Sequence, residues 1–271
     1  MVNIDKIVES IKKQIPEKKY SIGIIIGSSF SDIIDEIQDK VVINFKDLNG
    51  LKVLGTDIEE NKFIFGRYHQ KDVIVVLGRI HYNLGYEPED VSTIIYILKE
   101  LGCEKLILTT SVGAISKKIK VGDIVTFNDQ INFTSRNPLS GSTYDKYGQK
   151  FIDMIEPYDE EMQDILTVTA KKEMSIKIKK AVIMEFAGPN AETISETKIA
   201  YLLGADVVAF NICCEVISAK YCGLPVVGYG LVTNYASAYS NSKIKHEDIV
   251  YNRKCASNYY LELLGRFVEN L

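Results

Sequence analysis

Histidine is scarce in this chain of 271 residues, which holds only His69, His81 and His246. Their spacing matches no H-E-x-x-H or comparable metal pattern, so no metal site is expected. Cysteine is almost as sparse. Cys103, Cys213, Cys214, Cys222 and Cys255 form an odd set with no C-x-x-C pair, which argues for reduced thiols and against a disulfide framework or zinc ribbon. With 6 prolines and no low-complexity tract, nothing reads as a flexible linker, so a single domain over residues 1–271 is expected. Excess positive charge is missing too. Lys and Arg total 32 against 36 Asp and Glu, a net charge of -4, which removes the main electrostatic support for nucleic-acid binding. The stretch from Met1 to Lys19 is broken by Asp5, Lys6, Glu9, Lys12 and Lys13 and lacks the apolar core of a signal peptide or membrane span. A cytoplasmic location without membrane contact follows as the expectation.

What is present is alternation. Ile4, Ile7, Val8, Ile11 and Ile15 recur at helical spacing behind Asn3 as a cap. The β-branched run Ser21–Gly27 then reads as a buried strand, and Phe30, Ile33, Ile34 and Ile37 return to helical spacing. Further strands are expected at Phe63–Tyr68, Val73–Leu77, Lys105–Thr110, Asp123–Phe127, Ala181–Phe186, Val207–Phe210 and Val226–Val232. Helices are expected near Pro88–Leu101, Tyr158–Lys172, Thr193–Leu203, Glu215–Cys222 and His246–Leu271, with Thr193 and Glu196 spaced as a capping box. Strands alternating with helices over a whole chain indicate an α/β fold with a mostly parallel or mixed sheet and ligand sites beyond strand ends.

Several segments carry groups suited to chemistry. Gly27-Ser28-Ser29 lies between a strand and a helix, where amides and hydroxyls can converge on an anion, although such turns also serve backbone geometry alone. Thr109-Thr110-Ser111-Val112-Gly113 reads as a second turn of this kind. Arg79 and His81 follow a strand end, where a guanidinium can fork two phosphate oxygens; a surface ion pair and a satisfied loop histidine are the plainer alternatives. Glu192 precedes a helix start, where a carboxylate also suits the helix dipole, and Asn234 follows a strand that it can simply terminate.

In their order these segments resemble the trimeric class of purine nucleoside phosphorylases over nearly the whole chain. The resemblance rests on Gly23-Ile24-Ile25-Ile26-Gly27-Ser28, on Gly78-Arg79-Ile80-His81-Tyr82 with Gly85-Tyr86, and on Val121-Gly122-Asp123-Ile124. It continues through Asn137-Pro138-Leu139, Ala187-Gly188-Pro189 with Glu192-Thr193, Leu203-Gly204-Ala205-Asp206, and Thr233-Asn234. It implies a three-layer α/β/α sandwich around a mixed, partly barrel-like sheet, assembled as a homotrimer. It implies phosphorolysis of 6-oxopurine nucleosides to free base and (deoxy)ribose 1-phosphate, with inorganic phosphate as co-substrate and no cofactor.

Carried over by position, Ser28, Arg79, His81 and the Ser111 amide hold phosphate, Glu192 and Asn234 hold the purine, and His246 meets the sugar 5′-hydroxyl. Asn234, Glu192 and His81 are the catalytic set, and Tyr147 is the aromatic presented to a neighbouring subunit's site. Glu192 can accept the N–H at position 1 of a 6-oxopurine, whereas adenine offers a lone pair there, so inosine and guanosine are expected over adenosine. The chain departs from the family at a phosphate histidine, missing from Glu59-Glu60-Asn61-Lys62, and at a Met-Ser pair, replaced by Phe210-Asn211. Weakened phosphate binding is the expectation. A methylthioadenosine phosphorylase is disfavoured because that family has Ser and Asp where Glu192 and Asn234 stand; a nucleoside-binding relative without phosphorolysis is the alternative of another class.

Overall fold

A computed structural model of the chain describes residues 2–27, 30–54, 61–141, 145–240, 243 and 245–271. Ser28 and Ser29, and with them the first expected anion turn, lie outside the described residues, as do Glu59 and Glu60. The fold is mixed α/β with a closed five-stranded barrel and further strands. The chain forms two compact units. One comprises Met1–Leu108, Asn137–Ile155 and Cys214–Val226, the other Thr109–Arg136, Glu156–Cys213 and Val227–Leu271.

The first unit is an open sheet. Its strands are β1 (Ile22–Ile26), β2 (Gln38–Asn44), β3 (Lys62–Tyr68), β4 (Lys71–Leu77) and the first part of β5 (Lys105–Ala114), in the order β2-β3-β4-β1-β5. β1 runs parallel to β4 and β5, whereas β2 and β3 pair antiparallel. All of β1 is buried, as its unbroken apolar run requires. Helix α1 (Ile4–Lys12) is capped by Asn3, whose side chain accepts from the Lys6 amide at 3.0 Å; it packs on α3 (Pro88–Glu100), and its Ile4, Ile7, Val8 and Ile11 are buried. Ile15 falls beyond that helix. The expected second helix shrinks to a single turn, α2 (Ile33–Glu36).

The second unit holds the barrel. β5 pairs antiparallel with β8 (Val207–Ala209), which runs parallel to β7 (Lys179–Glu185); β7 is parallel to β6 (Ile124–Asn132), and β6 is antiparallel to β9 (Val226–Tyr235). β9 pairs in turn with β5 and closes the ring. Thr109–Gly113 is therefore strand and not the expected turn. Two threonines and a valine in five residues suit a pleated backbone, and Gly113 and Ala114 are ladder partners of Val208 and Val207. Helices α4 (Glu160–Met174) and α7 (His246–Asn270) pack together in this unit, joined where Asn270 Nδ2 donates to Thr169 Oγ1 at 3.1 Å. α5 (Ile194–Leu202) follows β7, and α6 (Cys213–Tyr221) begins beyond β8.

Candidate active site

In the first unit the candidate residues hang from the end of β4. The amide of Gly78 donates to the Ile26 carbonyl at 3.0 Å, and the backbone then turns through a φ of +88°, where an added Cβ would stand 1.9 Å from Asn61 Oδ1. Only glycine fits there. Arg79 comes next and points inward. Its Nε donates to Glu215 Oε1 at 2.8 Å, and both side chains are 4% exposed. A void of about 10 Å³ beside the pair, lined by Ile25, Val76, Ile80, Val91 and Ile94 among others, has room for about one water.

Glu215 sits in the first turn of α6, and the residue before it, Cys214, takes a hydrogen bond from the Tyr82 hydroxyl. The segment Arg79–Tyr82 is thus tied at both ends to one helical turn. Between those ties, half-buried His81 has extended backbone and precedes the 3₁₀ turn Tyr82–Leu84. Tyr147, also in this unit, donates its hydroxyl to Glu100, and its ring lies 5.6 Å from that of Tyr96 and 5.8 Å from that of Tyr221. Within the chain it belongs to this aromatic cluster.

The second unit arranges the expected purine-binding residues. After β7 the chain passes through Gly188, at a φ of +66°, where a Cβ would meet the Phe210 ring at 3.3 Å. Phe210 packs there beside a cluster that includes Met184, Phe186 and Val208. The start of α5 then assigns its polar work unambiguously. Thr193 Oγ1 accepts from the Glu196 amide at 3.2 Å, and Glu196 Oε2 accepts from the Thr193 amide at 2.7 Å. This capping box leaves Glu192 with no capping duty.

Glu192 is instead buried, 7% exposed, and burial pushes its carboxyl above the usual range; a hydrogen bond from its own backbone amide opposes the shift and the Glu196 charge adds to it. No cation pairs with it among the described residues. Its backbone carbonyl accepts from the Ser237 hydroxyl, which ties this segment to the chain just beyond β9.

Asn234 lies within β9 and does not terminate it. Its Oδ1 accepts from Thr233 Oγ1 at 3.0 Å, and its Nδ2 donates to the Tyr235 carbonyl at 3.1 Å. Gly113 lies beneath, where a Cβ would stand 3.1 Å from Asn234 Nδ2. Asn211 is half-buried, and its Oδ1 is shielded from solvent with no partner among the described residues. Ser111 is half-buried within β5. His246 stands exposed as the first residue of α7, and Asn234 lines a 260 Å³ recess with Lys243, Lys245, Asp248 and Asn252.

A family model for the phosphorylase superfamily matches residues 21–269. The chain belongs to the phosphorylase superfamily. Among its relatives, purine nucleoside phosphorylase 1 of Bacillus subtilis is 29% identical over 265 residues, 98% of this chain and 97% of that protein. The structure of Schistosoma mansoni purine nucleoside phosphorylase with inosine superposes with a TM-score of 0.92 at 25% identity, covering 99% of this chain and 96% of the other. Isoform 2 of the same organism, with cytosine and ribose 1-phosphate, gives 0.93 at 26% identity over 99% and 96%.

Within this phosphorylase-superfamily chain, the structure adds Glu215 and Ser237 to the residues picked out from the sequence, and sets Gly113 of the expected second turn against Asn234. A carboxylate inside the otherwise uncharged stretch from Ile212 to Ala219 was a signal for a buried partner, though not for which one. Ser237 left no comparable mark.

Proposed function

We propose that the chain is a purine nucleoside phosphorylase acting on 6-oxopurine nucleosides, inosine and guanosine, to give the free base and (deoxy)ribose 1-phosphate. The observation that carries this reading is Glu192, a buried carboxylate excused from capping by Thr193 and Glu196. An ionised carboxylate kept out of water needs more than the one donor that its own backbone amide supplies, and the N1–H of a 6-oxopurine offers another. The names of the relatives, and the inosine and ribose 1-phosphate in their structures, support the same reaction.

In the reaction the C1′–N9 bond breaks and a C1′–O bond to phosphate forms, so positive charge develops on the sugar and negative charge on the departing purine. Asn234 donates to the purine imidazole nitrogen as that charge grows, and Glu192 holds the pyrimidine edge. Arg79 and His81 take the phosphate dianion, with which Ser28 and the Ser111 amide are also assigned. Phe210 gives the sugar an apolar wall, Asn211 replaces a hydroxyl donor by an amide, and His246 is assigned the 5′-hydroxyl. The whole chain works as one phosphorylase domain in the cytoplasm, without cofactor, as a homotrimer in which Tyr147 serves a neighbouring site.

Incubating the protein with inosine, with and without inorganic phosphate, tests this. Hypoxanthine release that requires phosphate and outpaces cleavage of adenosine is expected. Equal efficiency on adenosine overturns the base assignment, and binding without cleavage overturns the enzyme. Light scattering at assay concentration should report three chains.

A further inference from the structure

We propose that Glu215 is the positioning residue for phosphate: by holding Nε of Arg79 it fixes the plane in which the rest of the guanidinium meets the dianion. The inference rests on the phosphorylase reading, in which Arg79 binds phosphate, and adds a residue with no place in that reading so far.

A guanidinium is planar and carries its donors in a rigid fork, so one short bond at Nε sets the direction of the whole group. The 2.8 Å bond to Glu215 Oε1 does this where both side chains are 4% exposed. The holder is itself held. In the same helix Ser218 donates to the Cys214 carbonyl at 2.7 Å and lies 2.9 Å from Ser92 Oγ of α3, and Cys214 takes the Tyr82 hydroxyl. Glu215 therefore projects from a turn anchored on both sides. The pairing also limits cost, because a lone buried guanidinium would be strongly destabilising, while a formally neutral pair keeps the arginine dry and aimed between turnovers.

Orientation and charge make different predictions. Glu215→Ala removes both and should raise the KM for phosphate by roughly ten-fold or more, the order expected for misplacing a charge-assisted contact, with the KM for inosine within about two-fold of wild type. Glu215→Gln keeps a carbonyl oxygen for Nε and should restore most of the lost phosphate affinity. Glu215→Asp keeps the charge, is the least disruptive to folding, and draws Arg79 back by about one methylene; its phosphate KM should rise several-fold.

The rise in Tm caused by inorganic phosphate alone should follow the same ranking without any turnover. Folded Ala and Asp variants with a wild-type phosphate KM and a lowered kcat would overturn the positioning role, as would a Gln variant no better than Ala. Wild-type protein that needs no phosphate to cleave inosine overturns the phosphorylase reading itself, an outcome visible before any variant is made.

Discussion

The two units bury charge in opposite ways. In the first, Arg79 is matched by Glu215 at 2.8 Å and the loop that carries it is stitched to α6. In the second, Glu192 is buried with no cation beside it among the described residues and carries the penalty as a raised pKa. A matched charge is stable whether or not a ligand is present, which suits holding a small ion that arrives already ionised. A carboxylate with no cation beside it, and its own backbone amide as donor, gains when a ligand brings a further donor, which suits discrimination between bases. On the proposed assignment, the contrast separates a part that orients from a part that chooses.

The largest effect should come from unbalancing the matched pair. Arg79→Met takes the 2.8 Å cationic partner from the buried Glu215 and is expected to cost about 3–5 kcal/mol in urea denaturation. Adding Glu215→Leu should recover much of that stability while phosphorolysis stays lost. A single variant as stable as the double would erase the contrast.

Next comes the unmatched carboxylate. Glu192→Gln should cut the preference for inosine over adenosine by roughly ten-fold or more. It should also raise stability at neutral pH. The folded-state pKa of Glu192 lies above the unfolded one, so the folded chain keeps a proton that the unfolded chain has released. Stability therefore falls as pH rises through that window and stays lower above it. Calorimetry should show the variant melting above wild type at pH 8, with the gap closing near pH 4.

The smallest effect is geometric. Gly113→Ala places a methyl 3.1 Å from Asn234 Nδ2 and 3.2 Å from Val208 Cγ2, so Asn234 must give way. A cost of about 1 kcal/mol and a several-fold rise in the KM for inosine are expected, with the KM for phosphate unchanged. A change in the phosphate constant instead would show that the two roles are not divided as argued.

Much of the fold was legible because it is locally encoded. Asn3 with isoleucines at helical spacing announced α1, and the unbroken run before Gly27 announced β1. β2 was not legible: it opens Gln38-Asp39-Lys40 with those residues exposed, and it is a strand because β3 pairs with it. Thr109–Gly113 misled for a related reason, since small polar residues resemble a turn until the ladder to β8 is known. At the site, Thr193 and Glu196 were readable as a capping box, but that their pairing would release Glu192 was not. The Arg79–Glu215 bond joins positions 136 residues apart, a relation no local pattern encodes.

The closure of the barrel sets a timetable for the chain. The Thr233 hydroxyl lies 3.5 Å from the Val112 carbonyl, across 121 residues of sequence, and Gly113 faces Asn234 at the same seam. Contacts so remote in sequence carry a large loop-closure entropy and form late, after hairpins such as β3 and β4 have zipped locally. Asn234 thus acquires its surroundings only as the ring shuts. If Asn234 holds the purine as proposed, a partly folded chain can own most of its secondary structure and still lack that seat, and nucleoside binding then reports completion of the barrel.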